Sequence, residues 1–176
     1  MKKTSLQDKN ISHRVSEDAL FLAAALIMSF VESLFPISAL IPLPGFKLGL
    51  SNIAITAAAY RLSSADAAAV SFAKVIVLSL LFGSITSFFF SLAGASFVIL
   101  SLIILKRVRV FSFIGISVIC AASHNLGQLT AAAIVFEKAA LSYSPILLFA
   151  SVIFGGTCGV ILNILPRFIF EEKQIK

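Results

Sequence analysis

Charge is scarce in this 176-residue chain: 12% of its residues are Asp, Glu, Lys or Arg, against about 25% in an ordinary soluble domain. With 59% apolar residues and a mean hydropathy of +1.04, the composition excludes a water-soluble domain and points to an integral membrane protein. Cysteine is nearly absent as well. Cys120 and Cys158 both fall inside apolar runs with no metal-like spacing, so they read as small hydrophobes and imply neither a disulfide nor a zinc site. There is no Gly-x-x-x-x-Gly-Lys-Ser/Thr phosphate loop, no haem Cys-x-x-Cys-His and no iron–sulfur cysteine set. ATP hydrolysis by a phosphate loop and redox chemistry on those centres are thereby excluded for this chain alone, and no cofactor is expected. The polar stretch Met1 to Asp18 lacks the single short apolar core of a secretory signal, so the first apolar segment is expected to be retained.

What the chain has is long apolar runs. Judged against the roughly 20 residues that a spanning helix needs, they predict an all-α, polytopic protein of about six transmembrane helices. The runs are Ala19 to Phe35, Leu48 to Leu62, Ala67 to Phe82, Ile85 to Leu105, Val110 to Phe136 and Ser144 to Leu165. Short punctuation separates them: a proline-rich Pro36 to Gly45, an N-cap-like Ser63-Ser64-Ala65-Asp66 and a Gly83-Ser84 turn. The expected organisation is an N-terminal segment 1–18, one six-helix domain 19–168 and a tail 169–176. No internal repeat stands out.

Lys and Arg are distributed unevenly over the ends of these runs. Lys2, Lys3, Lys9, Arg14, Arg61, Lys106, Arg107, Arg109, Arg167, Lys173 and Lys176 fall on one side, Lys47 and Lys138 on the other. The positive-inside rule then predicts both termini in the cytoplasm and the protein in the cytoplasmic (inner) membrane. The net charge of +6 follows from that topology, and no nucleic-acid partner is expected.

Lys74 sits inside an apolar run, and His124, Asn125 and Gln128 interrupt another. An ionisable group within a spanning segment is costly unless it faces a partner, water or a ligand, so each marks a candidate site. On the predicted topology Glu32, Lys47 and Asn52 lie toward the outer side, with Lys74 and His124 to Gln128 near the middle. His124 and Gln128, four apart, share a helix face. Plainer roles stand beside these: a Glu32–Lys74 ion pair joining two helices, interhelical hydrogen bonds from His124 and Asn125, and a snorkelling Lys47. Gly155 to Gly159 reads as a helix-packing patch of small residues. No carboxylate can be assigned to orient His124, so no nucleophile–base set emerges.

The segment Pro42-Leu43-Pro44-Gly45-Phe46-Lys47-Leu48-Gly49-Leu50-Ser51-Asn52 joins a stiff connection to a helix whose first amides lack intrahelical acceptors. Beside Lys47, those amides are expected to form an anion site. The following apolar run is short, which predicts a helix that starts below the membrane surface, with the loop folded over it as a lid.

Glu32 in the first helix, Pro-Gly-Phe-Lys-Leu-Gly-Leu-Ser-Asn at 44 to 52, Lys74 and His-Asn-Leu-Gly-Gln at 124 to 128 together resemble the Gx transporter family. That family is also labelled heptaprenyl diphosphate synthase component I, and the resemblance covers nearly all of the chain after Asp18. Six helices with a lid-like first loop also resemble the S-components of energy-coupling factor (ECF) vitamin transporters. That likeness implies capture of a solute from outside, with energy supplied by a coupling transmembrane subunit and ATPases. It also implies docking through small residues of the first helix, matched by Ala19 and Ala23 and extended by Ala24 and Ala25.

Prenyl transfer needs magnesium-binding carboxylates to neutralise the departing pyrophosphate. The three aspartates Asp8, Asp18 and Asp66 are mutually distant, so the synthase label fits an accessory, lipid-binding subunit better than a catalyst. Some proteins resembling this family accompany extracytoplasmic FMN-binding proteins, which implies a third reading as a membrane partner in flavin or quinone electron transfer. The expectation carried forward is a non-catalytic, substrate-binding membrane subunit for a small anionic or amphipathic solute such as a vitamin or flavin-like compound. Its predicted ligand contacts are Glu32, Lys47, Asn52, Lys74, His124, Asn125 and Gln128, with membrane lipids around it and no metal.

Overall fold

A computed structural model describes residues 2–34, 49–82, 84–108, 110–136, 141–142 and 144–164. Lys47, the proline-rich connection and the C-terminal tail lie outside the described residues. The described elements are helices: α1 (Lys2–Ser33), α2 (Asn52–Arg61), α3 (Ser64–Phe82), α4 (Ile85–Val108), α5 (Phe113–Phe136) and α6 (Ser144–Ile164). All six expected helices are present, and among the described residues there is no strand. α1 runs unbroken from Lys2 through the polar segment into the first apolar run.

Four helices, α3 to α6, are long and apolar enough to cross a membrane. Their outward faces carry large apolar side chains, with Leu80, Ile85 and Ile134 each about four-fifths exposed. So continuous an apolar surface suits hydrocarbon and is unsuited to water. α2 is different. At ten residues it is about 15 Å long, half of what a bilayer core requires, and it is buried from Asn52 through Ala59.

The long helices form an arc in which α1 packs on α3, α3 on α4, α4 on α5 and α5 on α6, while α2 packs against all five. α2 is thus the hub of the fold, and its Ile53, Ala54, Ile55, Ala57, Ala58 and Ala59 belong to the main apolar core. Its run of alanines is what lets five neighbours approach so short an element, because small side chains keep backbones close.

Glycines set the closest contacts elsewhere. A Cβ on Gly159 would lie 2.5 Å from the Cα of Ile114, one on Gly155 would lie 2.8 Å from the Cα of Val118, and one on Gly127 would lie 2.6 Å from the carbonyl oxygen of Ala93. The patch from Gly155 to Gly159 therefore packs α6 on α5, as its spacing suggested, whereas Gly156 faces nothing within 4 Å. A Ser101–Ser123 hydroxyl hydrogen bond of 2.7 Å ties α4 to α5.

One end of the bundle is tied by charge. Arg14 donates to both carboxylate oxygens of Asp66, the shortest contact being 2.8 Å, and Arg61 donates to Glu17 at 2.9 Å. Ser63 caps α3 by accepting the amide of Asp66 at 3.1 Å and donating to its carboxylate at 2.7 Å, so the N-cap-like tetrapeptide is one in fact. Lys106 donates to the Ala59 carbonyl near the end of α2 and lies 5.6 Å from the centre of the Tyr60 ring.

Gly159→Val is expected to destabilise the protein by about 1–3 kcal/mol, because the new side chain meets backbone that cannot step aside. Gly156→Ala should leave stability unchanged or slightly raised. Thermal unfolding of both variants in the same detergent checks the contrast.

Candidate functional site

α2 begins inside the bundle, with Ser51 and Asn52 buried, where backbone amides that lack acceptors cost several kcal/mol each. Gly49 stands just before the helix at φ +84°, a left-handed conformation that side chains other than glycine's disfavour. It turns the chain so that successive amides point the same way. Within the turn the amides of Asn52 and Ile53 donate to the carbonyls of Gly49 and Leu50, at 2.9 and 3.1 Å. The amides of Gly49 and Leu50 donate instead to the two carboxylate oxygens of Glu32, at 2.8 and 3.1 Å.

Glu32 thereby caps α2 from α1, and its negative charge sits at the positive end of the α2 dipole. The amides expected to receive a ligand's anion are already held by the protein's own carboxylate. The reason is one of depth: Glu32 ends its helix at the level where α2 starts and is 3% exposed, so the two needs satisfy each other.

Lys74, halfway along α3 and 5% exposed, donates to the hydroxyl of Ser51 at 2.8 Å. Glu32 and Lys74 line one cavity with Ser29, Gly49, Ser51, Ser91 and His124, so α1, α3, α4, α5 and the turn before α2 all contribute to it. His124 reaches it across α4 because Gly94 has no side chain: a Cβ there would lie 2.7 Å from the imidazole. Gln128 packs beside the same glycine, its Cγ 3.2 Å from that position.

Several polar atoms in this region are buried without a hydrogen-bond partner among the described residues. They are Asn52 Nδ2, Ser91 Oγ, Asn125 Oδ1 and both amide atoms of Gln128. Buried groups in that condition cost about 1–3 kcal/mol each; of these, Ser91 lines the cavity and the Gln128 side chain packs beside it at Gly94.

The structure therefore brings together Glu32, Asn52, Lys74, His124 and Gln128 around the start of α2. Asn125 turns the other way, donating to the Leu147 carbonyl at 3.1 Å and the Ser151 hydroxyl at 2.7 Å on α6. Lys47 lies outside the described residues. On α1, Ala19 and Ala23 are exposed on one face, but Ala25 is completely buried and belongs to the core, so the small-residue patch does not extend to it. Among the described residues no group of three or more His, Cys, Asp or Glu could hold a metal ion.

Sequence reasoning passed over Ser29, Ser51 and Ser91, because a serine in a membrane helix ordinarily bonds its own backbone. It also passed over Gly94, whose only signal is its spacing of three from Ser91 on the same helix face.

Glu32→Ala should lower stability by about 1.5–3 kcal/mol, the cost of losing charge-assisted hydrogen bonds to two buried amides. Glu32→Gln, which keeps one acceptor oxygen, should lose clearly less. Unfolding midpoints of the two variants measure the difference; equal losses would mean that the acceptor oxygen retained by Gln contributes nothing without the charge.

A family model described as "Heptaprenyl diphosphate synthase component I" matches residues 21–165. No curated protein and no solved structure matches the chain.

Proposed function

The chain belongs to the heptaprenyl diphosphate synthase component I family, and from that premise we propose that it is a membrane subunit that binds a small polar or amphipathic solute at the start of α2. The observation that carries this reading is the set of buried hydrogen-bonding atoms without partners among the described residues: Ser91 Oγ in the cavity with Lys74 and His124, Asn52 Nδ2 beside Gly49, and the amide of Gln128, whose side chain packs beside Gly94. A purely structural polar cluster would have its groups satisfied; a binding site keeps them for its ligand.

With the α2 amides held by Glu32, the balance of charge no longer favours an anion as strongly as the sequence implied. Lys74 and Glu32 oppose each other in sign, and the spare groups are neutral. A solute with both donor and acceptor atoms suits the cavity best. The protein's part is binding and handover without chemistry on the solute.

On this reading the protein works as an S-component does. Arg14, Arg61 and Lys106 gather at one end of the bundle and the cavity lies toward the other, which supports cytoplasmic termini in the cytoplasmic membrane and solute entry from outside. Ala19 and Ala23, exposed on α1, offer a flat strip against which a coupling transmembrane subunit can pack, with ATPases beyond it supplying energy.

The family's description favours one other role, an accessory subunit that holds an isoprenoid for a separate prenyl diphosphate synthase. Lys74 and His124 would then face the polar head of that lipid.

Native mass spectrometry of gently purified protein should show a retained small molecule, and Lys74→Met should abolish its retention while shifting the unfolding midpoint little. Retention of the same molecule by a well-folded Lys74→Met protein sinks the assignment. Co-isolation with a coupling subunit and ATPases separates transport from the accessory role, which calls for a soluble prenyl synthase.

A further inference from the structure

A second cavity adjoins the first and belongs to none of the contacts assigned so far except Asn52. It lies between α2, α5 and α6 and shares Gly49 with the charged cavity. Asn52 and Thr56 line it from α2, Ser117 from α5, and Gly155 and Cys158 from α6. Asn52 and Thr56 are four residues apart and so present one polar edge of an otherwise apolar helix.

The side chains of Asn52 and Ser117 are 7% and 5% exposed, and neither the Asn52 Nδ2 nor the Ser117 Oγ has a hydrogen-bond partner among the described residues. A serine within a membrane helix ordinarily donates to the carbonyl four residues back, as Ser79, Ser96 and Ser151 do here; Ser117 does not. An amide N–H and a hydroxyl, both donors, are left facing enclosed space beside small residues. Charge is absent from this lining.

We propose that this second cavity is a subsite for a neutral, carbonyl-bearing part of the ligand, whose oxygen accepts from Asn52 and Ser117 while a more polar part occupies the Lys74–His124 cavity. Gly49 lines both cavities, and its left-handed turn aims the amides of Gly49 and Leu50 at Glu32. The ligand class narrows accordingly to bifunctional molecules with a polar head and a carbonyl. This rests on the solute-binding reading but can be tested apart from it, because the subsite has its own reporter in Cys158.

N-ethylmaleimide is a small, neutral, carbonyl-bearing probe that alkylates thiols. In the full-length protein carrying Cys120→Ala, Cys158 is the single thiol, and its labelling should proceed with a rate that saturates as reagent concentration rises, since the probe binds before it reacts. Ser117→Ala should make that dependence linear and slow labelling about five-fold at low reagent, the equivalent of one lost hydrogen bond. Ser117→Leu, which fills the cavity, should suppress labelling in protein whose unfolding midpoint is retained.

A linear dependence in the Cys120→Ala protein, or labelling of Ser117→Leu at an undiminished rate, overturns the subsite, because the thiol is then reached by collision or from the lipid side. Failure of wild-type protein to retain a solute would instead count against the proposed function and leave the labelling result standing.

Discussion

The contact on which the rest of the structure depends is the Glu32 carboxylate on the amides of Gly49 and Leu50. A helix that starts in the middle of an apolar layer exposes amides to a medium with no acceptors. Without a cap in place α2 would not be stable there, and α2 is the element on which every other helix packs. A carboxylate is well suited to the task because it offers two acceptor oxygens and places negative charge at the positive end of the helix dipole. The other end is treated in the opposite sense, with Lys106 donating to the Ala59 carbonyl. Glu32 and Lys106 thus bracket a ten-residue helix, each carrying the sign that its end prefers.

That bracket explains why a polar cavity can exist at this depth. α2 starts where Glu32 and Lys74 meet it, so the space continuing its line beyond Gly49 is lined by side chains of other helices. Ser51 accepts from Lys74, and Gly94 makes room for the imidazole of His124. The glycine contacts between α4, α5 and α6 hold that half of the bundle at close range, so the cavity walls on that side are set by backbone. Under the proposed function such a site is preorganised, and its spare hydrogen-bonding groups need not be ordered when a solute arrives.

Much of the fold was legible in the sequence, since a membrane imposes few rules and enforces them strictly. Apolar runs from Ala67 to Phe82, Ile85 to Leu105, Val110 to Phe136 and Ser144 to Leu165 became α3 to α6 with boundaries shifted by a few residues. The capping role of Ser63 and Asp66 and the packing role of Gly155 and Gly159 were equally plain, because each depends on local spacing. The site was legible in part. Lys74 and His124 announced themselves by their cost, but nothing local could tell that Asn125, one residue on, turns about 100° away and bonds to α6. Nor could spacing reveal that Ala25 is core while Ala23 is surface, since both fit a small-residue strip.

By itself the sequence determined the solvent, the class and the cast: a helical membrane protein of a recognisable family, with a few polar residues too expensive to be idle. Hydrophobicity and charge are properties of residues and survive without coordinates. Only the tertiary structure decided what those residues touch. Glu32 satisfies α2 and does not leave its amides to a ligand, Lys74 holds Ser51, and Ser117 faces a cavity where Ser79, Ser96 and Ser151 bond backward. Partner choice depends on which helix face meets which neighbour at which depth, and that information is carried by the packing of six helices together and by no stretch of one.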